Sequence, residues 1–344
     1  MRRLSLAAGL VAMGVAGGAA AQEPEVTLTV HHFIGPMAPT HAAFIEPWSR
    51  RIEEQSDGRI KVEIYPSMSL GGAPPELYRQ ARDGVADIVW TLIGYTPGVF
   101  PRSEVFELPT VHRGSALATT LAIQDVFDQI APDFEGVHPL LIHVHAGQAI
   151  HMVDRPVQQV EDLAGLKLRI PSRTGAMLIE AWDAQPVGMP VPELPQALSR
   201  GVVDGALVPY EIVLPLKVHE LTNYAIEGPD GRRFGTSVFA FLMNEESYAS
   251  MPDDLKAILD ANSNAAIAAE IGEVWDGVEV PGKDATIASG SEMIVLDEAA
   301  MAAFDERAMQ VEERWLADME AEGIDGQALL EAAKAAVAAH SQTN

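Results

Sequence analysis

Apolar and polar residues along this chain switch repeatedly between a period of two and a period near four, and the switches fall at glycine and proline. Residues 26–30 are an apolar run that reads as a buried strand, and 39–55 carry Phe44, Trp48 and Ile52 at four-residue spacing on one helical face. Asp57-Gly58 ends that helix. Ile60, Val62 and Ile64 then alternate with Arg59, Lys61 and Glu63, a strand with one wet face that Pro66 stops. After a Gly71-Gly72 turn, Pro74-Pro75 open a helix carrying Leu77 and Ala81; Gly84 closes it, and 85–92 are apolar enough for a central strand. The alternation returns as strands at 139–145, 166–170 and 202–208, with a helix at 172–184 whose N-cap is Ser172. Two such α/β units predict two lobes, each a mostly parallel sheet covered by helices, with a cleft between them.

After Pro252 the pattern lengthens. Asp253 or Asp254 caps a stripe of Leu255, Ile258, Leu259, Ile267, Ile271, Val274 and Trp275, with only Gly272 inside it, and Pro281 follows. One helix of that length would reach roughly 40 Å at 1.5 Å per residue, more than a single lobe needs, so it is expected to span both. Met301, Phe304, Met309, Trp315 and Met319 amid Glu and Asp predict further helix on the outside.

The first residues follow a different logic. Arg2 and Arg3, the apolar stretch 4–15 and Ala19-Ala20-Ala21 before Gln22 have the layout of a secretory signal cleaved after residue 21. No later stretch is apolar for long enough to span a bilayer, so an exported, soluble protein is expected. A formal net charge of -26, from 23 Lys+Arg against 49 Asp+Glu, leaves little positive surface for phosphate and argues against nucleic acid as a partner. With no cysteine, disulfides, thiolate nucleophiles and Cys-ligated metals are excluded. His219-Glu220 begins like a zinc-protease helix, but Asn223 stands where the second histidine is needed. Neither a G-x-S-x-G elbow nor a phosphate-cradling Gly-Lys-Ser/Thr loop occurs, so catalysis lacks support and no cofactor is expected.

Two groups of residues carry candidate chemistry. His143 and His145 share one face of a strand, and His151 has the same parity if the strand runs on. The three could ligate a metal in a periplasmic metalloenzyme; alternatively they form a polar strand edge facing the cleft, where an imidazole donates to a ligand or a neighbouring carbonyl. His31 and His32 point to opposite faces and cannot chelate one ion together. The stronger signal is Leu166-Lys167-Leu168-Arg169-Ile170-Pro171-Ser172, where a strand ends just before a helix N-terminus. Ligands of open α/β sheets gather at the carboxyl ends of strands, and helix N-termini favour anions, so Arg169 sits where an anion should dock. Its planar fork suits a carboxylate. A structural ion pair with Glu193 is the alternative, and Arg173 is either a second donor or a solvated cation. Phe33, Trp90 and Tyr95 follow or bracket the first-lobe strands and are candidate ring contacts; Trp48 and Trp182 lie on helical stripes and read as core, and Phe234 borders a crossing between lobes.

The ordered run Ser69-Leu70-Gly71-Gly72, Glu76-Leu77 and Asp83-Gly84-Val85-Ala86-Asp87-Ile88 resembles the first signature of solute-binding subunits of tripartite ATP-independent periplasmic (TRAP) transporters. A second signature follows in Asp162-Leu163, Gly165 through Pro171, Gly188-Met189-Pro190, Glu193, Ala197-Leu198 and Gly201-Val202-Val203-Asp204-Gly205. The resemblance covers nearly all the chain after residue 21. It implies a two-lobed α/β flytrap with a long helix crossing both lobes. The expected division is signal 1–21, first lobe 22–146 plus 235–275, second lobe 147–234 plus 276–330, and a tail 331–344. It also implies that Arg169 pairs with the ligand carboxylate, that Tyr210 lies on the hinge side of the cleft, and that the partner is a membrane permease driven by an ion gradient.

Two departures from the family pattern narrow the ligand. Gly147-Gln148-Ala149 stands where many members carry a second arginine, and Leu207-Val208-Pro209 where many carry Glu-Asn-Pro. A second ligand charge would then be short of partners at a cost of roughly 1 to 3 kcal/mol or more, so a monocarboxylate with an apolar or aromatic body is expected in preference to a dicarboxylate. The expected contacts in the second lobe are Arg169, Arg173, Gln148, His151, Val208, Tyr210 and Phe234, facing Phe33, Trp90 and Tyr95. A solute-binding sensor would share all of these features.

Overall fold

A computed structural model describes residues 23–341, so the expected signal lies outside the described residues. Eleven strands follow the chain among them: β1 Val26–His32, β2 Ile60–Tyr65, β3 Ile88–Leu92, β4 Val137–Val144, β5 Ala149–Met152, β6 Lys167–Ile170, β7 Gln185–Gly188, β8 Gly205–Val208, β9 Tyr224–Glu227, β10 Val238–Asn244 and β11 Glu292–Val295. They form two sheets, ordered β2-β1-β3-β10-β4 and β11-β9-β5-β8-β6-β7. In the first, β1 runs parallel to β2 and β3, while β10 is wedged antiparallel between β3 and β4. In the second, β5 is antiparallel to β8 and β9, and β6 is parallel to β7 and β8. The fold is the expected two-lobed α/β architecture, with strand order crossing between lobes three times, at β4–β5, β9–β10 and β10–β11.

The first two crossings lie side by side. The Gln148 N–H donates to the Gly235 carbonyl at 2.9 Å, and the Phe234 N–H donates to the Gln148 carbonyl at 2.9 Å, so the β4–β5 and β9–β10 connectors form a short antiparallel ribbon. Gly147 and Gly235 adopt φ of 114° and 81° there, backbone that a side chain would strain.

The stripe after Pro252 is not one rod. It resolves into helices Asp253–Asp260 and Ala268–Gly277, separated by a short turn Asn264–Ala266, and Glu279–Ala288 follows past Val278. Asn262-Ser263-Asn264 cause the break: the Ser263 hydroxyl donates to the Leu259 carbonyl, the Asn262 amide donates to the Ile258 carbonyl, and Asn264 takes φ 48°. Short polar side chains that bond nearby carbonyls compete with the helix ladder. The long element that reaches both lobes is Glu298–Ala321, a 24-residue helix about 36 Å long at 1.5 Å per residue. Its Phe304 packs against Trp182 of the second lobe, with ring centroids 5.2 Å apart, while its Trp315 donates to the Pro101 carbonyl of the first at 3.3 Å. Met309 of the same stripe stays exposed. The last helix, Gly326–Ser341, returns to pack on Ala116–Asp125 of the first lobe.

Other boundaries shift by a few residues. The 85–92 strand begins at Ile88, since the Val85 N–H still bonds back to the Gln80 carbonyl of the preceding helix and Val85 is exposed, and the 202–208 strand begins at Gly205. The 172–184 helix ends at Ala181, just before Asp183 at φ 58°. Ser172 is its N-cap, accepting from the Gly175 N–H.

Candidate functional site

Arg169 sits on β6 between β7 and β8 and is 2% exposed. Its Nε and Nη2 donate to the Met189 carbonyl at 3.0 and 2.9 Å, and Nη1 reaches the Leu207 carbonyl at 3.4 Å. Backbone carbonyls thus take three of the five guanidinium N–H groups and fix its plane, and a planar fork held in this way suits a planar anion. Among the described residues no carboxylate pairs with it; Glu193 acts on it from a distance without forming an ion pair, and burial lowers its pKa. The Tyr95 hydroxyl stands beside the guanidinium and accepts from the Val191 N–H at 2.8 Å, a contact between the lobes.

Arg169 and Tyr95 line a cavity between the two sheets. Its wall is aromatic: Trp90 is sandwiched by Phe33 and Phe239, with ring centroids 4.9 and 4.6 Å apart. Trp90 Nε1 donates to His143 Nε2 at 3.0 Å, which leaves the His143 proton on Nδ1, facing the Val144 carbonyl at 3.3 Å. Burial pushes the His143 pKa down to about 3, so this imidazole is a neutral spacer behind the wall.

His145 faces the cavity itself. Its Nδ1 accepts from the Gly147 N–H at 2.9 Å, which places the proton on Nε2, and burial with nearby positive charge, Arg169 included, holds its pKa well below the ordinary value. The result is a neutral N–H donor beside the arginine. Gln148 lines the same region; its amide N–H donates to the Ser237 hydroxyl at 3.2 Å, while its Oε1 is buried without a partner. Leu207, Pro209, Ile212 and Leu92 supply apolar lining, and Glu211 a buried carboxyl.

A family model described as bacterial extracellular solute-binding protein, family 7 (DctP), matches residues 30–324. The chain belongs to this family. Among solved structures, this family-7 protein is 40% identical to a marine-metagenome TRAP solute-binding protein specific for aromatic acid ligands and holding 3-hydroxybenzoate. The TM-score is 0.90, with 92% of this chain and 99% of the other covered. It is 38% identical to a TRAP solute-binding protein of Rhodoferax ferrireducens with copurified benzoate, at a TM-score of 0.89 and the same coverage. A curated relative, the outer membrane transporter protein TsaT of Comamonas testosteroni, is 25% identical over 98% of both chains.

Of the expected contacts, the family-7 protein brings Arg169, Phe33, Trp90, Tyr95 and Gln148 together around the cavity. Five others lie elsewhere. Arg173 is held by Glu104 of the first lobe and Asp318 of the Glu298–Ala321 helix. His151 lies behind the sheet, edge-on to Tyr210 at 5.3 Å, with its pKa pushed to about 3 by burial. Val208 pairs with Ala149 inside the second sheet, and its neighbours Leu207 and Pro209 reach the cavity instead. Tyr210 is buried against Arg233, whose guanidinium lies 4.9 Å from the ring centre, and burial raises its pKa. Phe234 packs on Trp182 and Phe304 in a separate pocket at the hinge.

The three histidines do not converge either: His143 is on β4 of the first sheet and His151 on β5 of the second, each in its own surroundings. His31 and His32 do diverge, one bonding Gln80 and the other His41. Sequence reasoning missed Phe239, Glu211, Ile212 and Ser237 as cavity residues. The apolar run 238–243 was the available signal for Phe239; nothing local marked the others.

Proposed function

We propose that this family-7 protein captures an organic monocarboxylate with an aromatic body in the periplasm and delivers it to a TRAP membrane permease. The observation that carries the reading is a buried guanidinium, without a carboxylate partner, at the edge of an aromatic-walled cavity. Burying an uncompensated charge is costly, and a ligand carboxylate on the fork of Arg169 relieves it. His145 Nε2–H supplies a second, neutral donor in place of the second arginine of other members. The ring then lies against the Phe33–Trp90–Phe239 stack, where offset faces favour aromatic over aliphatic bodies. The aromatic acids held by the two solved relatives support this choice.

In this reading, residues 22–146 with 235–275 form the first lobe, 147–234 with 276–330 the second, and the 1–21 leader directs export. Ligand contact with both lobes favours the closed form, because only differential contact can shift that equilibrium. A thermal-shift panel tests the proposal. Benzoate, 3-hydroxybenzoate and mandelate are expected to raise the melting temperature more than succinate or malate at equal concentration. Preference for succinate would overturn it.

A further inference from the structure

Glu211 is 8% exposed and lines the cavity that holds Arg169, yet its carboxyl has no hydrogen-bond or ion-pair partner among the described residues. It stands in the turn Tyr210–Ile212 that follows β8. That turn is pinned from below: the Glu211 N–H donates to Glu279 Oε1 at 2.9 Å and the Tyr210 N–H to Glu279 Oε2 at 3.3 Å, so the backbone is committed while the side chain is not. Gln148 Oε1, on the same cavity, is likewise buried and unpartnered. A fully buried polar atom is ordinarily satisfied, so Gln148 Oε1, with the uncommitted Glu211 carboxyl on the same cavity, points to a polar group on the occupant beyond its carboxylate.

We propose that Glu211 is the specificity-determining residue of the cavity and receives a hydroxyl carried on the aromatic ring of the bound acid. This rests on the aromatic-acid reading above and names what that reading leaves open, the ring substituent. The charge acting on Glu211 is that of Glu279, not Arg169, which sets it apart from the carboxylate fork. Burial and that like charge both hold the carboxyl well above its ordinary pKa, in the neutral form. A neutral carboxyl can accept from a phenolic O–H and donate to its oxygen, whereas an ammonium on the ligand would need the ionised form.

Calorimetry with benzoate, 3-hydroxybenzoate, 4-hydroxybenzoate and 3-(aminomethyl)benzoate, on the wild-type chain and on E211Q and E211L, tests this. The wild type should bind at least one hydroxybenzoate about tenfold more tightly than benzoate, the gain of one buried hydrogen bond. That ratio should fall to about one in E211L and persist in E211Q, with thermal melts confirming that both variants fold. A ratio unchanged in E211L, or tightest binding of the aminomethyl compound lost in E211Q, would overturn the proposal. Benzoate binding that requires Arg169 but gains nothing from any ring hydroxyl would defeat Glu211 alone. No binding of any aromatic acid would defeat both readings.

Discussion

Arg169 and Arg173 stand four residues apart at the same strand-to-helix junction and meet opposite environments. Arg169 is fixed by two backbone carbonyls and faces a cavity without a carboxylate partner. Arg173, partly exposed, is gripped by Glu104 from the first lobe and by Asp318 from the helix that reaches both lobes. The residue type is identical; the counter-ion decides the role. Where the protein supplies its own carboxylates, the arginine links the two lobes; where it supplies none, the function proposed above leaves the charge for an anion from outside.

The largest test of this contrast removes the cation in the cavity. Arg169→Ala should weaken binding of an aromatic monocarboxylate by about 2 to 5 kcal/mol, because the ligand carboxylate would be buried without its partner, while the melting temperature without ligand holds or rises. Titration calorimetry beside a thermal melt reads both, and unchanged affinity would end the distinction. Arg169→Lys should recover little of the loss, since a point charge cannot reproduce the fork.

The next test acts on the closure that brings the lobe of the two arginines against the other. Gly94 follows β3 and approaches the Ser172 cap so closely that an added Cβ would lie 2.4 Å from Ser172 Cβ and 2.9 Å from its Cα. Gly94→Ala should therefore oppose the closed form and cost about 1 to 3 kcal/mol of ligand affinity, as overpacking does. Small-angle scattering at saturating ligand should show a larger radius of gyration than for the wild type; identical closure would show that Ser172 yields.

A third test uses pH on the paired side. Glu104 is buried, and burial outweighs Arg173 to push its pKa up to about 7. The sign follows from proton counting. The folded chain binds more protons at this carboxyl than the unfolded chain between about 4.5 and 7, so its contribution to stability falls as pH rises through that window and is constant above it. Glu104→Gln removes the titration. Its stability relative to wild type should increase by about 2 to 3 kcal/mol between pH 5 and pH 8, measured by denaturant unfolding. A flat difference would place the Glu104 pKa near its ordinary value.

Much of this frame was legible in the sequence where the signal was local. β1, β2, the helix with Phe44, Trp48 and Ile52, and the Arg169 strand with its Ser172 cap all follow from periodicity and punctuation within a dozen residues. What failed depended on distant partners. β10 is an apolar run whose meaning comes from pairing with β3 and β4, from which it is separated by most of the second lobe. Without that pairing, Phe239 and Ser237 could not be placed at the cavity. Val208 was expected to face the ligand and Leu207 does so instead, because a one-residue change along a strand reverses the face. The sequence around Arg173 leaves it open as a ligand donor because its acids lie 69 and 145 residues away in the chain. The break at Asn262-Ser263-Asn264 was readable from composition and was overridden by the apolar stripe.

The smallest effect expected is that of Arg173→Met, and its size follows from the partner left behind. Removing one member of a buried pair is severe when the survivor must stay charged. Glu104 need not stay charged, because its pKa already stands at about 7, and losing Arg173 raises it further. At neutral pH a proton replaces the guanidinium at a cost of a fraction of a kcal/mol, while the Asp318 contact is solvent-exposed and screened. Ligand affinity should therefore fall by under about 1 kcal/mol, with a weaker dependence on added salt than in the wild type. Calorimetry at low and high ionic strength distinguishes the outcomes. If Arg173→Met costs as much as Arg169→Ala at both, the two arginines share one task, and the counter-ion no longer separates them.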